Sequence, residues 1–162
     1  MLQNVIRAMK LDTDFYNTVE RDASFTPQAF VVVVVANGLA GVGTAIALAE
    51  VSVLGGIVGS IAAGLVNWVV WSALALFIGT RLFGGTADMG EMLRVLGFAQ
   101  APLMIGIIPY LGVVGSVWMI VASVVAVREG LDFSTGQAIG TVVLGWPAWF
   151  VLHLLVTALL PF

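Results

Sequence analysis

Cysteine is absent from the 162 residues of this chain, and histidine occurs once, as His153. No disulfide, thiolate metal site or cysteine nucleophile is therefore available, and a single imidazole builds no metal cluster. Charge is nearly as scarce. Asp, Glu, Lys and Arg make up 9% of the residues, where an ordinary soluble domain has about 25%. Six basic side chains and a formal net charge of -3 leave no basic patch for a phosphate backbone, so nucleic acid is excluded as a partner. Catalytic spacings are missing too: "FGGTADMG" at 83–90 lacks the lysine and hydroxyl of a phosphate loop. Neither an enzyme nor a cofactor is expected.

Apolar residues fill the space that charge leaves. They form 60% of the chain, mean hydropathy is +1.11, and residues 23–80 carry one charge, Glu50. A bilayer core of about 30 Å takes about 20 apolar residues per helix. The pattern predicts an all-α polytopic membrane protein, a bundle of five transmembrane helices at about 28–49, 55–79, 89–108, 112–128 and 135–160. Residues 1–25 form a separate cytoplasmic or interfacial segment, and 26–162 form the membrane domain.

Punctuation supports these boundaries. Thr26 and Pro27 suit an N-cap and first helical position. Gly84 and Gly85 suit a turn, Thr86 or Asp88 suits the cap of the next helix, and Glu91 three residues after Asp88 resembles a capping box. Ser134 or Thr135 opens the last helix, and Pro147 inside it removes a backbone donor and predicts a kink. Five spans with a cytoplasmic N-terminus place Arg7, Lys10, Arg21, Arg81, Arg94 and Arg128 all on the cytoplasmic side and the C-terminus outside. Arg94, one turn inside the third span, is expected to snorkel back to the headgroups.

The first ten residues have an amphipathic rhythm. Leu2, Val5, Ile6 and Met9 fall at i, i+3, i+4 and i+7, flanked by Arg7 and Lys10, as in a short helix lying in the bilayer interface. A second short helix capped near Asp12 places Phe15, Tyr16 and Val19 on one side. Both could instead pack beneath the bundle as a plug.

Within the spans the polar residues are few. Asn67, Gln100 and His153 are intramembrane candidates, with Asn37, Ser72, Ser116 and Ser123 as further scattered groups that suit interhelical hydrogen bonds. Ala36, Ala40, Gly43 and Ala47 form one small-residue face, and Gly56, Ser60 and Gly64 another, suited to close helix packing or self-association. Residues 86–98 and 134–146 share Val-Leu-Gly followed by an aromatic at the same offset. This echo suits either a parallel pseudo-repeat or capping and packing that arose separately.

The stretches "LDTDFYNTVERDASFTPQA", "EMLRVLGFAQAPLMIGIIPYLG" and "VVAVREGLDFSTGQA" resemble the YIP (Ypt-interacting protein) domain family, in its short prokaryotic five-span branch. Arg94, Gly97, Phe98 and Pro102 match an "RVLGYA" element followed by proline, with Phe98 in place of tyrosine. Gly130 to Ala138 match "GLSTGKA" at Ser134, Thr135 and Gly136, with Asp132 and Phe133 as an extra link and Gln137 replacing lysine. The resemblance implies a prokaryotic cytoplasmic membrane and five spans with the N-terminus inside. Eukaryotic members are associated with Rab-type GTPases and vesicle traffic, but the "DLYGP"-like acidic motif of their N-terminal region is absent here.

Two functional classes follow. One is a non-enzymatic membrane adaptor or organiser that presents its N-terminal helix and cytoplasmic loops to lipids or to cytoplasmic or membrane proteins, with self-association among the options. The other is a small channel or permease for a neutral or lipid-like solute, which requires Asn67, Gln100 and His153 to converge on one cavity. A structural subunit of a larger complex would turn the small-residue faces outward.

Overall fold

The computed structural model describes residues 1–48 and 52–159, with side chains up to residue 151. Among the described residues there are seven α-helices and no strand. A helical hairpin comes first. Helix α1 (Leu2–Met9) ends at Lys10, and Leu11 turns the chain with a left-handed φ of 60° into Asp12, whose carboxylate accepts the Phe15 amide at 3.0 Å and so caps α2 (Thr13–Arg21). The next cap differs from the expected one. Thr26 has helical backbone angles and cannot be an N-cap, because the chain already turns in a 3-10 segment, Ala23–Phe25. Asp22 caps that segment by accepting the Ser24 amide at 2.8 Å.

Helix α3 (Thr26–Leu48) runs on from this turn, and α4 (Val53–Leu82) begins at Ser52, whose hydroxyl accepts the Gly55 amide at 3.0 Å. At 1.5 Å per residue the 30 residues of α4 extend about 45 Å, well beyond a bilayer core. Helix α5 (Met89–Phe98) opens with the capping box read from the sequence: Asp88 accepts the Glu91 amide at 2.8 Å, and Glu91 accepts the Asp88 amide at 2.7 Å. Helices α6 (Gly112–Gly130) and α7 (Thr135–Leu159) complete the bundle, with Pro147 inside α7.

The third expected span, 89–108, is not one helix. Helix α5 stops at Phe98, and a 3-10 segment, Ala101–Ile107, continues the path. Pro102 lacks the N–H that would bond the Phe98 carbonyl, and the residue before a proline is pushed away from α geometry. The break therefore falls where the proline dictates. Among the described residues three helical stretches are long and apolar enough to cross a membrane: Ala23–Leu48, Val53–Leu82 and Gly112–Gly130. Helix α7 has the length, at 25 residues, with side chains described to Val151.

The elements close into a circuit: α3 packs on α4, α4 on α7, α7 on α6, α6 on the 3-10 segment, and that segment back on α3. Small residues permit the tightest of these seams. A Cβ on Gly43 would stand 1.8 Å from the Gly106 carbonyl oxygen, so only glycine admits the 3-10 segment at this distance from α3. The Gly43 and Ala40 face read from the sequence is consumed inside the chain. Gly64 likewise leaves room for the Asn37 side chain, which a Cβ there would meet at 2.2 Å. The sequence echo has a packing counterpart, since Gly97 and Gly145 each seat a tryptophan of α4, Trp68 and Trp71 respectively.

Candidate functional site: a charged end and a mid-bundle cavity

The N-terminal hairpin is built into the bundle. Helix α2 wedges between α5 and α6 with Phe15, Tyr16 and Val19 fully buried. Phe15 meets Phe98 edge-on at 5.1 Å and Phe25 at 6.0 Å, and Phe25 meets Phe98 at 6.0 Å. Such edge-to-face pairs contribute about 0.5–1.5 kcal/mol each beyond their buried area. Burial pushes the Tyr16 phenol well above its ordinary pKa.

Arg94 secures the other end of α2. Its side chain is 8% exposed, and its guanidinium donates from Nε to the Val19 carbonyl at 3.0 Å and from Nη2 to the Glu20 carbonyl. These are last-turn carbonyls, where orphan acceptors and the negative end of the helix dipole favour a cation. The snorkelling expected of Arg94 does not occur. The guanidinium turns inward to cap a helix lying 74 residues earlier in the chain.

Each interfacial-helix residue has a distinct place. Val5 is buried against the bundle and Met9 is partly buried. The Met9 carbonyl accepts the Trp118 indole N–H at 2.8 Å, and Asn4 donates to Gln28 at 2.9 Å. Arg7 pairs with Asp12 at 2.7 Å and lies over the Phe15 ring, 5.1 Å from its centroid. That hydrogen bond raises the Arg7 pKa and, with help from the Phe15 amide, lowers that of Asp12. Leu2, 75% exposed, and Ile6, 44% exposed, face outward with Met1, and Lys10 lies exposed beside them. The apolar stripe is thus divided between the protein and its surroundings.

The loops join the hairpin at one charged end. Glu20 is buried beside Arg21, and its pKa is raised first by burial and then by Asp132 and Glu91, so the end of α2, the start of α5 and the 131–133 loop stand together. Phe83 meets Phe133 edge-on at 6.1 Å, and its carbonyl accepts from Gln137 at 3.4 Å. Ser134 and Gln137 exchange capping hydrogen bonds at the start of α7, while Thr135 and Gly136 are exposed. Pro102 is buried, its carbonyl close against Gly115. Arg128 pairs with its neighbour Glu129.

Farther along the bundle the chemistry changes. Asn37 is the middle residue of α3, Asn67 lies at the middle of α4, and Pro147 is the middle residue of α7. Gln100 occupies the break after α5, and Asn37 donates to its amide oxygen at 2.7 Å. A cavity of about 160 Å³ opens between α4, α5, α6 and α7, with Asn67, Gln100 and Ser123 as its polar walls and Trp71, Trp146 and Trp149 as its indoles. A wider groove of about 800 Å³ lies against α3 and α4 on the far side of Asn67 and Trp149, which line both spaces. Of the three intramembrane candidates, Asn67 and Gln100 meet at the cavity. The side chain of His153 lies outside the described residues. Ser123 and the three tryptophans line the same cavity.

No acidic or histidine cluster that could hold a metal occurs among the described residues. Compared with known proteins, the chain matches the family model for the Yip1 domain over residues 13–160. No curated protein and no solved structure matches it.

Proposed function

This chain belongs to the Yip1 domain family, whose members are generally non-enzymatic membrane proteins, and on that premise we propose that it is a membrane adaptor or organiser. In this reading five segments cross the bilayer, with the broken α5 and 3-10 path as the third, and the charged end faces the cytoplasm. The observation that carries the reading is the docked hairpin. It is fixed to the bundle by Arg94, Trp118 and the aromatic cluster, yet it leaves Met1, Leu2 and Ile6 exposed beside Lys10. A rigid apolar edge next to basic residues suits headgroups or a membrane-bound partner. Crosslinking and co-purification from native membranes test it, comparing the natural chain with a Leu2→Ser, Ile6→Ser variant. Partners captured by the natural chain should be lost from the variant while its thermal stability in detergent stays the same. Identical capture by both would sink the adaptor reading.

A second reading, a permease for a neutral or lipid-like solute, is favoured by the meeting of Asn67 and Gln100 at one cavity. Polar groups at a helix break near mid-membrane are where transporter sites lie. Flux into liposomes that is reduced by Asn67→Leu would support this reading, and solute-independent flux would remove it.

A further inference from the structure

Gln100 is 93% withdrawn from solvent, at 7% exposure, and its carbonyl oxygen is engaged by Asn37. Its amide nitrogen bonds to nothing among the described residues, and it belongs to the wall of the mid-bundle cavity. Asn67 lines the same cavity from the middle of a 30-residue apolar helix, with no hydrogen bond from its side chain among the described residues. Asn67 is an exposed residue that lines the groove as well as the cavity, so its amide is open to a ligand rather than buried without a partner. Ser123 donates to the Met119 carbonyl at 2.8 Å, which leaves its oxygen able to accept. Among the described residues the cavity therefore offers donors and acceptors but no charged side chain, within walls of indole and aliphatic carbon.

The geometry points to a binding site for a neutral single-chain lipid with a hydroxyl or ester head, the head in the partly open cavity among Asn67, Gln100 and Ser123, and the chain in the adjoining groove. Size supports the head: an engineered cavity of about 150 Å³ holds benzene, so about 160 Å³ takes a group of roughly six to ten heavy atoms. Shape supports the chain. The groove is walled by small and aliphatic residues such as Ala40, Ala63, Val66, Val70 and Leu103, and it is open to the side. A charged head is disfavoured because no counter-ion lines the cavity among the described residues, and its desolvation would go uncompensated there.

The inference rests on the cavity reading above and names its ligand class, but it concerns binding at equilibrium, which flux does not measure. The test uses full-length protein in phosphatidylcholine nanodiscs. The probe is 1-(9,10-dibromostearoyl)glycerol, whose bromines quench the cavity tryptophans. Quenching should saturate at low mole fraction in the natural chain, and the apparent affinity should fall about 5–10-fold in Asn67→Leu, the loss of one hydrogen bond. Ser123→Ala should act in the same direction, with its fold preserved because only a bond within its own helix is removed. An alkyl sulfate with the same brominated chain should quench without saturating. Quenching proportional to probe content in the natural chain, or equal saturation by the sulfate, would overturn the inference. Saturable binding without flux would remove the permease reading alone.

Discussion

The charged end and the mid-bundle layer hold polar groups in opposite conditions. At the charged end, Asp12, Asp22, Asp88, Glu91, Arg94 and Ser134 each complete a helix end, and Arg7, Arg21 and Arg128 each pair with a carboxylate. In the middle, Asn37 is engaged with Gln100, but Asn67 and the Gln100 nitrogen open into space. A polar group that holds a fold together is satisfied by that fold, whereas a group left open within an apolar bundle has its partner elsewhere. The charged end thus reads as architecture and the middle as a site.

The largest effect should come from the charged end. Arg94→Met strips the Val19 and Glu20 carbonyls of their buried donor and should cost about 3 kcal/mol, measured by thermal unfolding in detergent. Limited proteolysis should then cut within residues 1–25. Gly43→Val should follow, at about 2–3 kcal/mol, because its side chain meets the Gly106 carbonyl and over-packs the seam. An unchanged melting temperature would mean that the third segment is not held against α3 as described.

How much of this contrast could be read beforehand depends on the range of the interaction. Asp88 and Glu91 announced their capping box because both partners lie within one turn, and the apolar runs gave the long helices because length and hydropathy are local properties. Arg94 gave no such signal. Its partners are backbone carbonyls on a helix 74 residues away, which no pattern in the intervening sequence encodes. The break after Phe98 did carry a signal, in Pro102, but the span-like length of the segment between the Asp88 cap and Pro109 outweighed it. The cavity was visible only as separate polar and aromatic residues, because convergence from four helices is decided by packing.

Smaller effects sharpen the comparison. Trp118→Phe removes the bond to the Met9 carbonyl while keeping an aromatic ring, and should cost about 1 kcal/mol, read as faster hydrogen exchange in α1. Glu20 supplies a pH dependence. Its folded pKa is raised, so its contribution favours the fold below the pKa of the unfolded chain and is lost as pH rises through the folded value. Glu20→Gln should flatten that part of the stability profile and leave the docked hairpin more stable at neutral pH. The smallest effect belongs to the middle layer: Asn67→Leu should change stability by no more than about 0.5 kcal/mol, since its amide supports nothing in the fold. A large loss there would erase the distinction between the two regions.

The most direct test of the central claim, that the N-terminal hairpin is a fixed part of the charged end, exploits the absence of cysteine. With Asn4 and Gln28 both replaced by cysteine, whose natural side chains meet at 2.9 Å, a short bis-methanethiosulfonate linker in native membranes should join the pair within nearly every molecule, the linker replacing the reach of the longer natural side chains. A pair that stays unjoined while Leu2 and Val5 label equally as single cysteines would contradict the account, because the hairpin would then be free of the bundle.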